Sequence, residues 1–127
     1  MRTDYNAKIR YSSKELSAKE RIMLKDTGNV TKLDTLLEDG PIEVSVDYYA
    51  IVDVHNEKAK QDKDYSQIVI VDKAGNKFTS GSNSLIEAIS NMADELADEG
   101  IEEFTISIFR KPSKNYTGKY FITCSLV

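Results

Sequence analysis

The longest regular feature of the chain is an alternation of apolar and polar side chains from Ile42 to Val54. Every second position is apolar, which predicts a β-strand with one buried face. A regular run of this length also predicts that the strand is strongly bent. The apolar face comprises Ile42, Val44, Val46, Tyr48, Ala50, Val52 and Val54, and the opposite face includes Glu43, Ser45, Asp47, Tyr49 and Asp53.

Four shorter segments have the composition and the flanking turn residues of strands. Between the third and the fourth predicted strand, apolar residues recur at helical spacing over residues 84–99. Ser84 and Glu87 have the spacing of a capping box, and Gly100 is suited to end this helix. The four shorter strands are predicted at residues 65–72, 77–81, 103–109 and 120–127.

The N-terminal region has a different pattern, which predicts helices. Residues 13–27 contain two capping-box spacings and a thin apolar stripe, and residues 31–38 form a second short helical segment. Residues 1–41 are therefore expected to be a helical extension that packs on the rest of the chain. The two capping-box pairs are Ser12 with Glu15 and Ser17 with Glu20.

The predicted order is a helical extension, three strands, a helix and two strands. Five short strands with one helix between the third and the fourth are typical of the OB-fold, a small Greek-key barrel. The expected fold class is therefore α+β and mainly β. We expect a single domain over residues 1–127, with the extension at 1–41 and the barrel at 42–127.

Charge is distributed unevenly along an acidic chain. The protein has 17 Lys and Arg residues against 21 Asp and Glu residues, a formal net charge of −4. The stretch RKPSKNYTGKY, residues 110–120, nevertheless contains four cations, two tyrosines and no acid. In the OB-fold order it is the loop between the last two strands, which borders the usual nucleotide-binding groove. Lysines can neutralise phosphates there, and tyrosine rings can stack on unpaired bases.

Ten residues are the candidates for nucleic-acid binding in this groove. The alternative is that the lysines only solvate a hairpin loop and protect a sheet edge, with Tyr116 capping the barrel and Tyr120 in its core. In the binding interpretation, the phosphate contacts are Arg110, Lys111, Lys114 and Lys119, the stacking rings are Tyr49, Tyr65 and Tyr116, and the additional cations are Lys58, Lys60 and Lys77.

The sequence does not support other kinds of site. One His and one Cys cannot form a zinc site of the usual kind, and phosphate-loop, dinucleotide and nucleophile-elbow motifs are absent. No catalytic residue, metal or cofactor is therefore expected. The apolar runs are too short to span a membrane, and the first residues lack the apolar core of a secretory signal.

Two motifs resemble those of a known family. DVHNEKA…KDY, which begins at Asp53, and KPSKNY.GK.FITCSL, which begins at Lys111, are similar to sequences of phage and prophage single-stranded DNA-binding proteins of Gram-positive bacteria, which are of OB type. The resemblance implies a non-catalytic protein that binds single-stranded DNA during phage DNA replication or recombination. It also implies action in the host bacterial cytoplasm, with phage replication or recombination proteins as further partners.

A protein-binding function is the alternative hypothesis. The helix predicted at residues 84–99 and the residues after it are acidic on their polar side, and such a surface can imitate DNA phosphates. A phage inhibitor of a host defence nuclease would use it to occupy a basic cleft. The oligomeric state stays open, with a homodimer among the options. The acids concerned are Glu95, Asp98, Glu99, Glu102 and Glu103.

Overall fold

The computed structural model describes residues 5–25, 31–56, 64–101, 103–112 and 120–127. They form seven strands, three helices and a short 3-10 turn at Leu37–Asp39. The strands are β1 (Tyr5–Ser12), β2 (Thr31–Lys32), β3 (Ile42–Asn56), β4 (Asp64–Asp72), β5 (Lys77–Ser80), β6 (Phe104–Pro112) and β7 (Tyr120–Leu126), and the helices are α1 (Ala18–Lys25), α2 (Leu33–Leu36) and α3 (Asn83–Asp98).

All seven strands belong to one curled sheet. Its order is β2-β5-β4-β3-β6-β7, and β1 pairs with β3 outside this path. The first residues of β3 pair with β6, and its later residues lie between β4 and β1. The sheet curls into a half-barrel with helices against it, so the predicted mainly-β, OB-like α+β fold is confirmed. Within the described residues, no helix has the length and apolar character needed to span a membrane.

A β-bulge in β3 corrects the predicted faces of that strand. The pairing with β4 shifts between Val46, which lies opposite Asp72, and Tyr48, which lies opposite Val71. An extra residue at this point reverses the face that the following side chains occupy. Val46 therefore belongs to the same buried cluster as Tyr49, whereas Tyr48 packs on the opposite face. The strand is bent as predicted, but its apolar pattern is divided between two cores.

The main core lies between one face of the sheet and helices α2 and α3. Helix α3 begins at Asn83, because the hydroxyl of Ser82 accepts a hydrogen bond from the Leu85 amide at 3.4 Å. The predicted cap at Ser84 is therefore wrong by two residues. The predicted stop at Gly100 is confirmed by its φ of 76°. The main core comprises Leu33, Leu37, Val44, Val46, Tyr49, Ile68, Ile70, Leu85, Ile89, Ile106, Ile108, Ile122 and Cys124.

The second core covers the opposite face of β3 and β4 and corrects the prediction of a purely helical extension. Strand β1 precedes α1 and pairs with β3. The predicted capping box of α1 is confirmed, because Ser17 and Glu20 exchange hydrogen bonds of 3.0 and 3.2 Å. Leu24 of α1 is 1% exposed within this core. The second core comprises Leu24, Ala50, Val52, Val54, Val69 and Val71.

Candidate nucleic-acid interface

The β6–β7 hairpin exposes an aromatic and cationic surface at the end where Pro112 pairs with Tyr120. Arg110 pairs with Ile122. In β7, Ile122 is the residue of the main core that lies nearest to this end of the hairpin. Beyond it, the guanidinium carbon of Arg110 lies 5.3 Å from the centroid of the Tyr120 ring, which is 60% exposed. Lys111 and its partner Phe121 are exposed on the other face of the hairpin. Each face of the hairpin end thus presents one ring and one cation to solvent.

A cavity of about 550 Å³ opens beside this hairpin end, and we call it the hairpin cavity. Its lining includes the Arg110–Tyr120 pair and two carboxylates from the α2 region. The carboxylates disfavour a phosphate beside them, so the arrangement suits a phosphate beside Arg110 and a base on the Tyr120 ring. The cavity is lined by Asp34, Glu38, Gly81, Ser82, Arg110, Tyr120, Phe121 and Ile122.

A second cavity of about 520 Å³ lies beside β1, at the last residues of β3 and the first residues of β4. We call it the β1 cavity. Arg10 binds Asp53 with a nitrogen–oxygen distance of 3.1 Å, and it donates a hydrogen bond of 3.1 Å to the hydroxyl of Ser66. That hydroxyl donates in turn to Asp53 at 2.7 Å. The remaining lining residues are Lys8, Val54, Tyr65 and the hydrogen-bonded pair of His55 and Asp64.

A comparison with known protein families gives this arrangement its context. The model of a family described as phage single-stranded DNA-binding protein matches residues 8–127. The chain belongs to this family. No curated protein and no solved structure matches the chain. Single-stranded DNA is therefore the partner that the family indicates.

Within this phage single-stranded DNA-binding family member, Tyr49 is not available for base stacking. Its ring is 1% exposed in the main core, because the bulge in β3 turns it inward. Burial, followed by the neighbouring Tyr11, raises the pKa of its hydroxyl well above the ordinary value. The prediction of Tyr49 as a stacking ring is therefore wrong.

Lys77 also lies outside the predicted groove. It pairs with Val71 in the second core, and its ammonium donates a hydrogen bond of 2.6 Å to the Met23 carbonyl at the end of α1. Lys77 thus attaches α1 to the sheet. The same helix covers the second-core face of β4, because Leu24 lies in one cluster with Val69 and Val71.

The other predicted residues divide between the cavities and the segments that the structure does not describe. Arg110 is on the wall of the hairpin cavity, with Lys111 next to it, and Tyr65 lines the β1 cavity with 36% of its surface exposed. Their roles stay predictions. Lys58, Lys60, Lys114, Tyr116 and Lys119 lie outside the described residues.

Four Tyr, Phe, Lys or Arg residues that line the two cavities were not among the predicted contacts. Tyr120 was placed in the core by the alternative interpretation, because it alternates with Ile122 and Cys124. The main core ends at Ile122, so the same alternation leaves Tyr120 outside it. The sequence evidence for Phe121, Lys8 and Arg10 was weaker. It consisted only of the alternation of apolar and polar residues along β1 and β7.

The acidic surface of α3 is exposed as the alternative hypothesis requires. Glu95, Asp98 and Glu99 are exposed, and Glu103 forms an ion pair of 2.9 Å with Lys73. Glu102 lies outside the described residues. The mimicry of DNA stays a prediction. Within the described residues, no group of three or more potential ligand side chains could hold a metal ion.

Proposed function

We propose that the protein binds single-stranded DNA at the end of the β6–β7 hairpin and does so, without catalysis, in phage DNA replication or recombination in the host cytoplasm. The observation that carries this proposal is the Arg110–Tyr120 pair, whose ring is 60% exposed at a distance of 5.3 Å from the guanidinium. An exposed ring on a strand, with a cation against it, has no role in the core.

The chemistry of this surface matches an unpaired nucleotide. A base that stacks on a tyrosine gains roughly 1–3 kcal/mol, whichever base it is. Arg110 holds the Tyr120 ring and presents its remaining donors to a phosphate, and Lys111 adds a second cation on the adjoining face. Because the two strands of the hairpin are paired from Ile106 opposite Leu126 to Pro112 opposite Tyr120, both groups are fixed before the nucleic acid arrives.

The test compares a ring variant with a charge variant in titrations of a fluorescent oligothymidylate over a series of salt concentrations. Tyr120→Leu should lower the affinity about 5- to 150-fold and leave the salt dependence unchanged, because a ring releases no counterions. Lys111→Ala should instead flatten the log–log salt slope by about 0.7.

Two matched variants make this test specific. Tyr120→Phe keeps the ring and should bind like the parent protein. Lys19→Ala removes the same charge from the exposed side of α1 and should leave the salt slope unchanged. If Tyr120→Leu binds with the parent affinity, the hairpin end is not the site.

The role in the phage is tested in infected cells. A phage that encodes Tyr120→Leu should accumulate less DNA or yield fewer recombinants than one that encodes Tyr120→Phe. Equal DNA accumulation and equal recombinant frequency for the two phages would refute the replication or recombination role while leaving the binding site intact.

A further inference from the structure

The hairpin cavity and the β1 cavity are neighbours across one glycine. Gly81 lines the hairpin cavity, and Ser66 lines the β1 cavity. A Cβ atom added to Gly81 would lie 3.8 Å from the Ser66 carbonyl oxygen, so the two walls are in van der Waals reach of each other. Gly81 is exposed and has no side chain, and it therefore leaves the surface between the cavities open.

We infer that a bound single strand continues from the hairpin cavity across Gly81 into the β1 cavity, where Lys8 and Arg10 contact its phosphates. This inference rests on the proposed function of the hairpin end. It assigns a DNA-binding role to β1, a strand added to the edge of β3 outside the five-strand order of an OB barrel.

The register of the strands puts the cations of the two cavities on the same face of the sheet. Lys8 lies opposite Asp53, and Asp53 lies opposite Ser66, so these three side chains share a face. Asp53 is four residues beyond Tyr49 in β3, which places it on the face of the main core. Arg110, opposite Ile122, is on that face too.

The opposite face offers no such route. Leu24 of α1 covers Val69 and Val71 of β4, and the Lys77 ammonium is bonded to the end of the same helix. A strand that leaves the hairpin cavity at Gly81 therefore meets the cations of β1 on the face that Arg110 shares.

The contacts of Arg10 prepare it for a phosphate. Asp53 and the Ser66 hydroxyl hold its guanidinium at 3.1 Å each, while 54% of the side chain stays exposed. A guanidinium has more donors than these two contacts use, so it can bind a phosphate oxygen without turning. The carboxylate of Asp53 competes with that phosphate for the same charge, which limits the affinity of the empty site for free anions. Lys8 adds an exposed cation on the same wall.

The main experiment measures affinity against oligothymidylate length, from about 4 to about 16 nucleotides, the range of OB-fold site sizes. The parent should gain affinity with length until the oligonucleotide spans both cavities. The double variant Lys8→Ala/Arg10→Ala should bind the shortest oligonucleotides like the parent but lose the gain with length. With long oligonucleotides, the log–log slope of its affinity against salt should be flatter by about 1.4, for two contacts of about 0.7 each.

Two further variants test the route and the role of Asp53. Gly81→Leu should weaken only the oligonucleotides long enough to cross, because φ of Gly81 lies outside the left-handed region and its Cβ has ordinary contacts, so the fold tolerates a side chain there. Asp53→Asn keeps an oxygen that accepts from Ser66 and removes the competing charge, and it should bind long oligonucleotides more tightly. Lys19→Ala/Lys25→Ala, with the same charge loss on α1, should follow the parent at every length.

The outcomes separate this inference from the proposed function. If Lys8→Ala/Arg10→Ala keeps the parental gain with length while Tyr120→Leu loses affinity, the strand ends at the hairpin cavity and the inference is overturned alone. If Tyr120→Leu is neutral and the β1 variants lose affinity at all lengths, β1 is the primary site, and both the proposed hairpin site and the continuous route are overturned.

Discussion

Whether a side chain is exposed for binding depends on how far its position along the strand lies from the main core. Tyr49 and Tyr120 are both on the face of the sheet that carries the main core, yet one is 1% and the other 60% exposed. Tyr49 is in the middle of β3, next to Ile70 of β4, whereas Tyr120 is the first residue of β7, beyond Ile122. The same residue type therefore stabilises the fold at one position and is free to bind a base at the other.

Cys124 shows the chemical consequence of burial on the same strand. Burial raises the pKa of its thiol to about 11, so about one thiol in a thousand is a thiolate near pH 8. We expect the native protein to react with a disulfide reagent far more slowly than the protein in denaturant, as measured by the absorbance of the released thiol. Equal rates in the two states would mean that β7 does not protect Cys124.

At the scale of elements, the N-terminal segment covers the face of the sheet opposite to the main core. β1 extends the sheet beside β3, and α1 then folds back over the second core through Leu24. Arg21 donates a hydrogen bond of 2.7 Å to the Leu16 carbonyl, and Lys14 lies 4.2 Å from the centroid of the Tyr48 ring, so the turn between β1 and α1 is held by its own side chains.

The attachment of α1 predicts that two residues of the helix, two positions apart, contribute unequally to stability. Leu24→Ala should lower the free energy of unfolding by about 2–5 kcal/mol, because it leaves a cavity over Val52 and Val69. Ile22→Ala, at a position that is 69% exposed, should change it by no more than about 0.5 kcal/mol. Denaturant titrations followed by circular dichroism measure both values. Equal losses would show that α1 does not pack on the sheet in solution.

The capping box of α1 predicts a pH dependence. Hydrogen bonds from Lys14 and then from the Ser17 amide lower the pKa of Glu20 from 4.5 to about 2. A lowered carboxyl pKa stabilises the fold fully above the unfolded value of 4.5, and this contribution is lost as the pH falls towards about 2.

Glu20→Gln isolates this charge, because glutamine still accepts the hydrogen bond of a capping box. The variant should have a lower melting temperature than the parent at neutral pH, and the difference should shrink as the pH falls below 4.5. A difference in melting temperature that stays constant between neutral pH and pH 2.5 would rule out a role for the carboxylate charge.

The strands show how much of the fold and the site could be predicted from the sequence. The alternation of β3 identified the strand and its bend, but one bulged residue reversed the faces after Val46 and moved Tyr49 from surface to core. β1 was missed although Lys8 and Arg10 alternate with its apolar residues, because the run is short and its pairing with β3 is a long-range contact. Alternation of apolar and polar residues identifies which side chains share a face of a strand, but it does not show where along the strand the core ends. Tyr120 was missed for that reason.

At the scale of the whole molecule, the charges favour one approach of the nucleic acid. The chain has a net charge of −4, and α3 exposes Asp94, Glu95, Asp98 and Glu99. Exposed charges act over about 10 Å at about 0.1 M salt, so the acidic helix repels DNA locally without cancelling the cations of β1 and β6. The affinity should therefore fall with salt even though the protein is acidic.

The same arrangement predicts a preference for unpaired DNA. Of the described helices, α1 is docked by Leu24 and α3 is acidic on its exposed side, so neither is suited to enter a major groove. The Tyr120 ring can stack only on a base that has left its duplex partner. In competition against a labelled single strand near 0.1 M salt, an unlabelled single strand should displace it at much lower concentration than a duplex of the same sequence.

Two variants show where this preference arises. Tyr120→Leu should reduce the discrimination, because it removes the stacking that a duplex cannot offer and keeps the attraction of Lys111 and Arg110 for any phosphate. Lys111→Ala should weaken both ligands and leave their ratio nearly unchanged, since phosphates are common to both. Equal or tighter binding of the duplex by the parent protein would contradict a stacking site. A ratio that is unchanged in Tyr120→Leu would place the source of the preference away from the hairpin.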